Sequence, residues 1–150
     1  MSDPSAAGAV PEPLLDDGVL ATIASLQRPG APDLVARVLG LFAEDAPRHV
    51  AGVAEGVASF DAERVRTAAH TLKSSAGNVG ALRLATRCAH IERAAREANL
   101  VACVALSDAL DALLAETLEA LESRHGAGGR DGRGDRDGQG GTGADGQRAA

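Results

Sequence analysis

From Asp16 to Glu122 the apolar residues return every three or four positions, and no segment alternates with period two over a useful length. That rhythm puts one apolar stripe on each of several successive helices and offers no strand for a sheet. The stripes are built from Ala, Leu and Val, with two Phe and neither Trp nor Tyr in the chain. A core of small aliphatic side chains without large aromatics favours close helix packing over a sheet. The chain is therefore expected to be all-α.

The first helix is expected at about 16–27, behind Asp16 and Asp17 as capping residues. Val19, Leu20, Ile23 and Leu26 make its apolar face, and Arg28-Pro29-Gly30-Ala31 ends it. A second helix begins near Pro32-Asp33, with Pro suited to a first turn. Leu34, Val35, Val38, Leu39, Leu41 and Phe42 supply its face. Pro47, which lacks an N–H and clashes with the preceding turn, should kink or interrupt it. Val50, Val53 and Val57 carry the stripe on to Ala58. Asp61 then caps a third helix over 62–78, and Gly80 stops it. A fourth helix, about 81–98, uses Leu84, Cys88, Ile91 and Ala95. A fifth, about 100–122, uses Leu106, Leu110, Leu113, Leu114, Leu118 and Leu121. Short connections between helices of similar length imply an antiparallel up-and-down four-helix bundle with an additional short N-terminal helix.

The bundle is assigned to residues 14–122. Residues 1–13, with Pro4, Pro11 and Pro13, read as a flexible leader. Residues 123–150 hold ten of the eighteen glycines and no large apolar side chain, so a disordered tail is expected there. The chain carries a net charge of −6; the tail contributes +1, leaving −7 on residues 1–122. An acidic bundle is a poor match for nucleic acid, whose phosphates want a basic face. No apolar run suits a signal peptide or a membrane span, so a cytoplasmic location without membrane contact is expected. Cys88 and Cys103 form neither a CxxC nor a zinc spacing and read as small buried thiols. His49, His90 and His125 stand in no motif, and no histidine pair has metal-ligand spacing. The bundle can bury its own faces, which points to a monomer.

The chemistry concentrates on the third helix. Val65, Ala69, Leu72, Ala76 and Val79 form its core stripe. Arg66, His70, Lys73, Ser74 and Gly77 form a second stripe, roughly 120° away at 100° per residue. His70 thus stands on the flank of the bundle, open to solvent. Lys73, the only lysine in a chain with fourteen arginines, is its neighbour at i+3. Lysine is a compact, mobile point charge where arginine is a bulky planar fork. A neutral imidazole is a nucleophile near pH 7, and a cation beside it neutralises part of the charge of an incoming phosphoryl group. Arg66 is placed either to assist from the other side or to pair with Glu63. Ser74 and Gly77 are small enough for another protein's active site to press close. No Walker motif, kinase glycine loop or Ser/His/Asp signature completes an enzyme.

The run Ala69-His70-Thr71-Leu72-Lys73-Ser74-Ser75-Ala76-Gly77-Asn78-Val79-Gly80-Ala81 resembles the signature of histidine-containing phosphotransfer (HPt) domains. These are four-helix bundles that relay phosphoryl groups between aspartates of receiver domains. The resemblance extends over about 14–122, through Phe42, Asp61, and Ile91-Glu92 with Arg96. It implies that His70 is the phosphoacceptor and Lys73 its electrostatic partner, with Arg96 approaching the site from the fourth helix; Arg66, Ser74 and Gly77, on the His70 stripe, are assigned with Arg96 to partner binding. It differs from the family pattern in having Ser74 where Gly usually follows the Lys.

The resemblance implies a phosphorelay intermediate that exchanges phosphoryl groups with receiver domains of a hybrid histidine kinase and a response regulator. It implies no cofactor on this chain, with any Mg²⁺ on the receiver. Two alternatives stay open: a non-phosphorylated adaptor that sequesters receivers, and a detached substrate domain of a chemotaxis-type kinase.

Overall fold

The structure is a computed structural model and describes residues 12–131. Residues 1–11 of the expected leader (1–13) and 132–150 of the expected tail (123–150) lie outside the described residues. Six helices make up the described part, with no strand among them: α1 (Asp17–Ser25), α2 (Leu34–Ala58), α3 (Ala62–Asn78), α4 (Leu82–Arg96), α5 (Leu100–Ser107) and α6 (Leu110–Asp131). The four long helices α2, α3, α4 and α6 form the bundle. Here α3 packs chiefly on α4 and α2, and α6 closes against α2.

Cross-helix polar contacts record the antiparallel order. Glu55 of α2 pairs with Arg64 of α3. Glu92 of α4 faces both residues 70 and 73 of α3. Arg87 reaches the carbonyl of Leu106 at 3.1 Å, and Arg83, earlier in α4, reaches Glu116, later in the last rod, at 3.7 Å.

The expected helix starts follow from local chemistry. The carboxylates of Asp16, Asp33 and Asp61 accept from the N–H of Gly18, Ala36 and Arg64, each at 3.1 Å. Because Asp33 is the cap, Pro32 lies just outside α2 rather than in its first turn.

The ends of α2, α3 and α4 share one turn. In each, the residue after the cap is left-handed and the next N–H returns five residues back: Asp61 to Gly56 at 2.8 Å, Ala81 to Ala76 at 2.8 Å, and Asn99 to Ala94 at 2.9 Å. The left-handed residues are Phe60, Gly80 and Ala98. Gly80 has no alternative, since a Cβ there would lie 2.6 Å from the Asp16 carbonyl oxygen. Gly56 lets α2 and α3 approach, because its Cβ would meet the Val65 side chain at 2.7 Å.

All five residues of the expected α3 core stripe are buried, as are Leu84, Cys88, Ile91 and Ala95 of α4. Leu41 and Leu26 depart from expectation and face solvent.

Four boundaries also depart from the reading above. First, α2 runs unbroken through Pro47. Pro47 and Ala43 are both exposed, so water can take the carbonyl that the proline leaves without a donor. Second, the expected fifth helix is split at Asp108-Ala109, where Ala109 takes φ 31°. Arg87 satisfies the Leu106 carbonyl released by the break. Third, α6 continues past Glu122 to Asp131, into the glycine-rich segment. Arg124 and His125 tie this extension to Asp17 at 3.4 Å and Asp33 at 3.1 Å. Fourth, Glu12 at the end of the leader is held, its carbonyl by Arg83 at 2.9 Å and its carboxylate by Thr86 at 2.7 Å.

Candidate functional site

Helix α3 presents His70 on its outer flank, with the side chain 56 % exposed. Its Nδ1 lies 2.9 Å from Oε1 of Glu92 on α4. Lys73 Nζ donates to the other carboxylate oxygen at 2.6 Å, and an Arg96 guanidinium N–H donates to Oε1 at 3.0 Å. One carboxylate therefore gathers the imidazole and two cations. The Glu92 side chain is only 4 % exposed, whereas Lys73 and Arg96 keep one flank in water.

Burial by itself would favour a protonated Glu92. The hydrogen bond from Lys73, reinforced by that from His70, outweighs it and holds the carboxyl below its ordinary range. An ionised carboxylate only accepts, so the geometry assigns the proton of a neutral His70 to Nδ1. Nε2 is then the lone-pair nitrogen of an exposed ring. The same contact orients the ring and leaves a negative charge in place to meet an imidazolium. With neutral His70, the four side chains sum to one positive charge, suited to receiving an anion.

The sequence-identified residues divide around this centre. His70, Lys73 and Arg96 converge on Glu92. Arg66 does not: it makes a two-point contact with Glu63, at 2.5 and 3.0 Å, out in solvent. That contact holds the Glu63 carboxyl below its ordinary range. Ser74 is exposed and its hydroxyl donates back to the His70 carbonyl at 3.2 Å, one turn away. Gly77 is exposed, and a Cβ there would meet nothing within 4 Å. Internal packing therefore has no need of its small size, although a glycine inside a helix costs about 1 kcal/mol relative to alanine. A groove of about 190 Å³ continues from this end of α3, lined by Val38, Leu41, Phe42, Asp45, Ser75, Asn78 and Val79. Leu41 of α2, exposed to solvent, forms part of its wall.

Glu92 is the residue whose role the sequence reading missed. It lies four positions after Cys88 and one after Ile91, on the inward side of α4. A carboxylate at such a position is rarely buried without a partner. That was the available signal; Arg96 lies one turn further on, but the other two partners lie 19 and 22 residues away. Beneath the site, burial pushes the Cys88 thiol up to about 12, so it stays a neutral packing group. Cys103 is likewise buried and shifted upward. His90 is exposed on α4 and His49 is half-buried on α2, both apart from these contacts.

A four-helix bundle displaying a carboxylate-oriented histidine beside a lysine defines a class, and comparison with known proteins meets it. The Hpt domain family model matches residues 37–124, and the chain belongs to that family. Histidine-containing phosphotransfer protein 2 of Arabidopsis thaliana is 31 % identical over 98 residues, a stretch covering 63 % of this chain and 63 % of that protein. The structure of histidine-containing phosphotransfer protein B from Pseudomonas aeruginosa superposes with a TM-score of 0.67 at 26 % identity, covering 75 % of this chain and 96 % of that one. A maize histidine-containing phosphotransfer protein shares the fold, with a TM-score of 0.65 at 22 % identity over 79 % of this chain and 87 % of its own.

Proposed function

We propose that the protein is a phosphorelay intermediate of two-component signalling, carrying a phosphoryl group on His70 between receiver-domain aspartates. The observation that carries this reading is the contact of His70 Nδ1 with the buried, ionised Glu92. It leaves Nε2 free and oriented on an exposed ring. In the forward step Nε2 attacks the phosphorus of an aspartyl phosphate. The N–P bond forms, the P–O bond to the aspartate breaks, and the carboxylate leaves on the receiver. The ring becomes a phosphoimidazolium, whose Nδ1–H remains on Glu92. Lys73, with its ammonium already beside the ring, offsets charge on the phosphoryl oxygens. The second receiver reverses these steps.

Mg²⁺ belongs on the receiver in this scheme, beside the aspartate that leaves or attacks. Donor and acceptor are a hybrid kinase receiver and a response regulator, and the relay unit is a cytoplasmic monomer. The small residues Ser74 and Gly77 open the helix flank to the partner. Ser74, with its hydroxyl turned back onto the backbone, adds little bulk there.

The test is transfer from a phosphorylated receiver domain with Mg²⁺ to the wild type, His70→Ala and Lys73→Ala. An acid-labile, base-stable label should appear on the wild type, vanish in His70→Ala and form more slowly in Lys73→Ala. Binding without label from a panel of receivers would replace the relay by a sequestering adaptor. Label only with a chemotaxis-type kinase and ATP would make the chain a kinase substrate domain.

A further inference from the structure

The three equivalent turns that end α2, α3 and α4 differ in the residue placed at the left-handed position. Gly80 is required by the Asp16 backbone, and Ala98 carries the smallest side chain possible after glycine. Phe60 is the anomaly. It takes φ 55°, where a Cβ is disfavoured and a bulky side chain is an outlier. It is also 80 % exposed. The chain has two phenylalanines and no other aromatic residue besides histidine. Phe42 is in the core, while Phe60 is in water and in strained backbone.

Nothing in the turn requires an aromatic ring. The backbone closes it through the bonds from Phe60 N–H to Val57 and from Asp61 N–H to Gly56. The Asp61 carboxylate then caps α3, and Ser59 donates to the Glu55 carbonyl at 2.8 Å. The Glu55–Arg64 pair joins α2 to α3 beside it. Glycine would satisfy every one of these contacts at lower conformational cost. Backbone strain combined with an exposed aromatic is the local signature of a residue used from outside.

We infer that Phe60 is an anchor for the receiver domain that exchanges phosphoryl groups with His70. This rests on the relay reading above. Ala62 and His70 are about 12 Å apart along α3, at 1.5 Å per residue, so Phe60 lies roughly 15 Å from the reacting histidine. A standard protein interface buries about 800 Å² per partner, a disc of roughly 16 Å radius. A receiver seated on His70 with a footprint of that radius spans the axial distance to Phe60 and, in the other direction, that to the Leu41 groove. Phosphoryl chemistry is common to all receivers, so a rim anchor remote from His70 distinguishes one receiver from another. The partner chemistry is an acidic phospho-aspartate pocket over His70 and Lys73, flanked by an apolar surface that accepts the ring.

The experiment uses the full chain, Phe60→Gly and Phe60→Tyr, with the phosphorylated receiver domain that labels the wild type. Two effects of opposite sign are expected for Phe60→Gly. Relief of the left-handed backbone raises the melting temperature by a few degrees. Loss of the ring raises the half-saturating receiver concentration about five- to tenfold, with the rate at saturation unchanged. Phe60→Tyr keeps an aromatic ring and restores the wild-type half-saturation. An unchanged half-saturation in Phe60→Gly overturns the inference and leaves the relay intact, whereas a wild type that is never labelled on His70 removes the relay reading itself. A marked fall in melting temperature would assign Phe60 to the fold instead. A dimer present in wild type and lost in Phe60→Gly would assign it to self-association.

Discussion

Arg66 and Lys73 project from the same flank of α3, two turns apart, yet they answer to different carboxylates. Arg66 holds Glu63, its neighbour on the same helix; Arg66 is partly exposed and the Glu63 carboxylate lies in solvent. Lys73 holds Glu92, across the helix interface and almost wholly buried. In water an ion pair is screened and contributes little. A buried carboxylate must instead be compensated by fixed donors, and here those donors are the imidazole and the two cations of the candidate site. The histidine is thus oriented by the group that most needs partners. Arg66 is left as a surface charge.

The sharpest way to break this contrast is Glu92→Ala. It removes the common acceptor of His70, Lys73 and Arg96. The freed donors can turn to solvent, so the loss should be roughly 1–3 kcal/mol rather than that of a stranded buried ion. A lowered urea midpoint with unchanged slope would show it. Transfer should slow by at least tenfold, because the imidazole loses its tautomer and its orientation. If transfer proceeds at the wild-type rate, Glu92 has only a packing role.

Glu92→Gln separates charge from geometry. The amide oxygen can still accept from Nδ1, but the phosphoimidazolium loses its counter-charge. A smaller slowing is expected, about three- to tenfold, with a shorter-lived phosphohistidine. Lys73→Ala comes next, with slower transfer and a stability loss of roughly 1–3 kcal/mol, because buried Glu92 loses its principal donor. Lys73→Arg should restore only part of the rate, as the planar fork does not reproduce a point charge.

The pH dependence has a definite sign. Glu92 has its carboxyl held below the ordinary value of 4.5 in the folded chain. Its contribution to stability is therefore complete above that value and is lost as pH falls through the lowered one. Acid unfolding monitored by circular dichroism should show this loss below about pH 4.5 in the wild type, and a weaker loss in Glu92→Gln. The smallest effect is reserved for Arg66→Ala. It should leave the denaturation midpoint and transfer at saturating receiver unchanged. A large fall in transfer rate would place Arg66 in the site after all.

Much of the fold was legible because helix caps and stripes are local. Asp61 and Gly80 bracket α3 where their side-chain oxygen and lack of Cβ require. The break at Asp108-Ala109 was hidden for the converse reason. Cys103 and Leu110 are seven residues apart, and a continuous helix would also have placed both inward. Pro47 misled because its effect on a helix depends on whether the orphaned carbonyl is buried, which the sequence does not display. The extension of α6 through Gly126 defied composition, since Asp17 and Asp33 supply partners for Arg124 and His125 from other helices.

The sequence by itself determined that His70 and Lys73 stand together on an exposed flank. Residues three apart on a helix are neighbours by backbone geometry alone. It also carried the resemblance to the phosphotransfer family. Only the tertiary structure decided which carboxylate joins them. The antiparallel register of α3 against α4 is set by burial of Val65, Leu72, Leu84 and Ile91. That register brings Glu92 opposite both residues, while Arg66 finds its partner a single turn away. Contacts within a turn follow from bond geometry. Contacts between helices wait for the core to fix how one rod lies along the next.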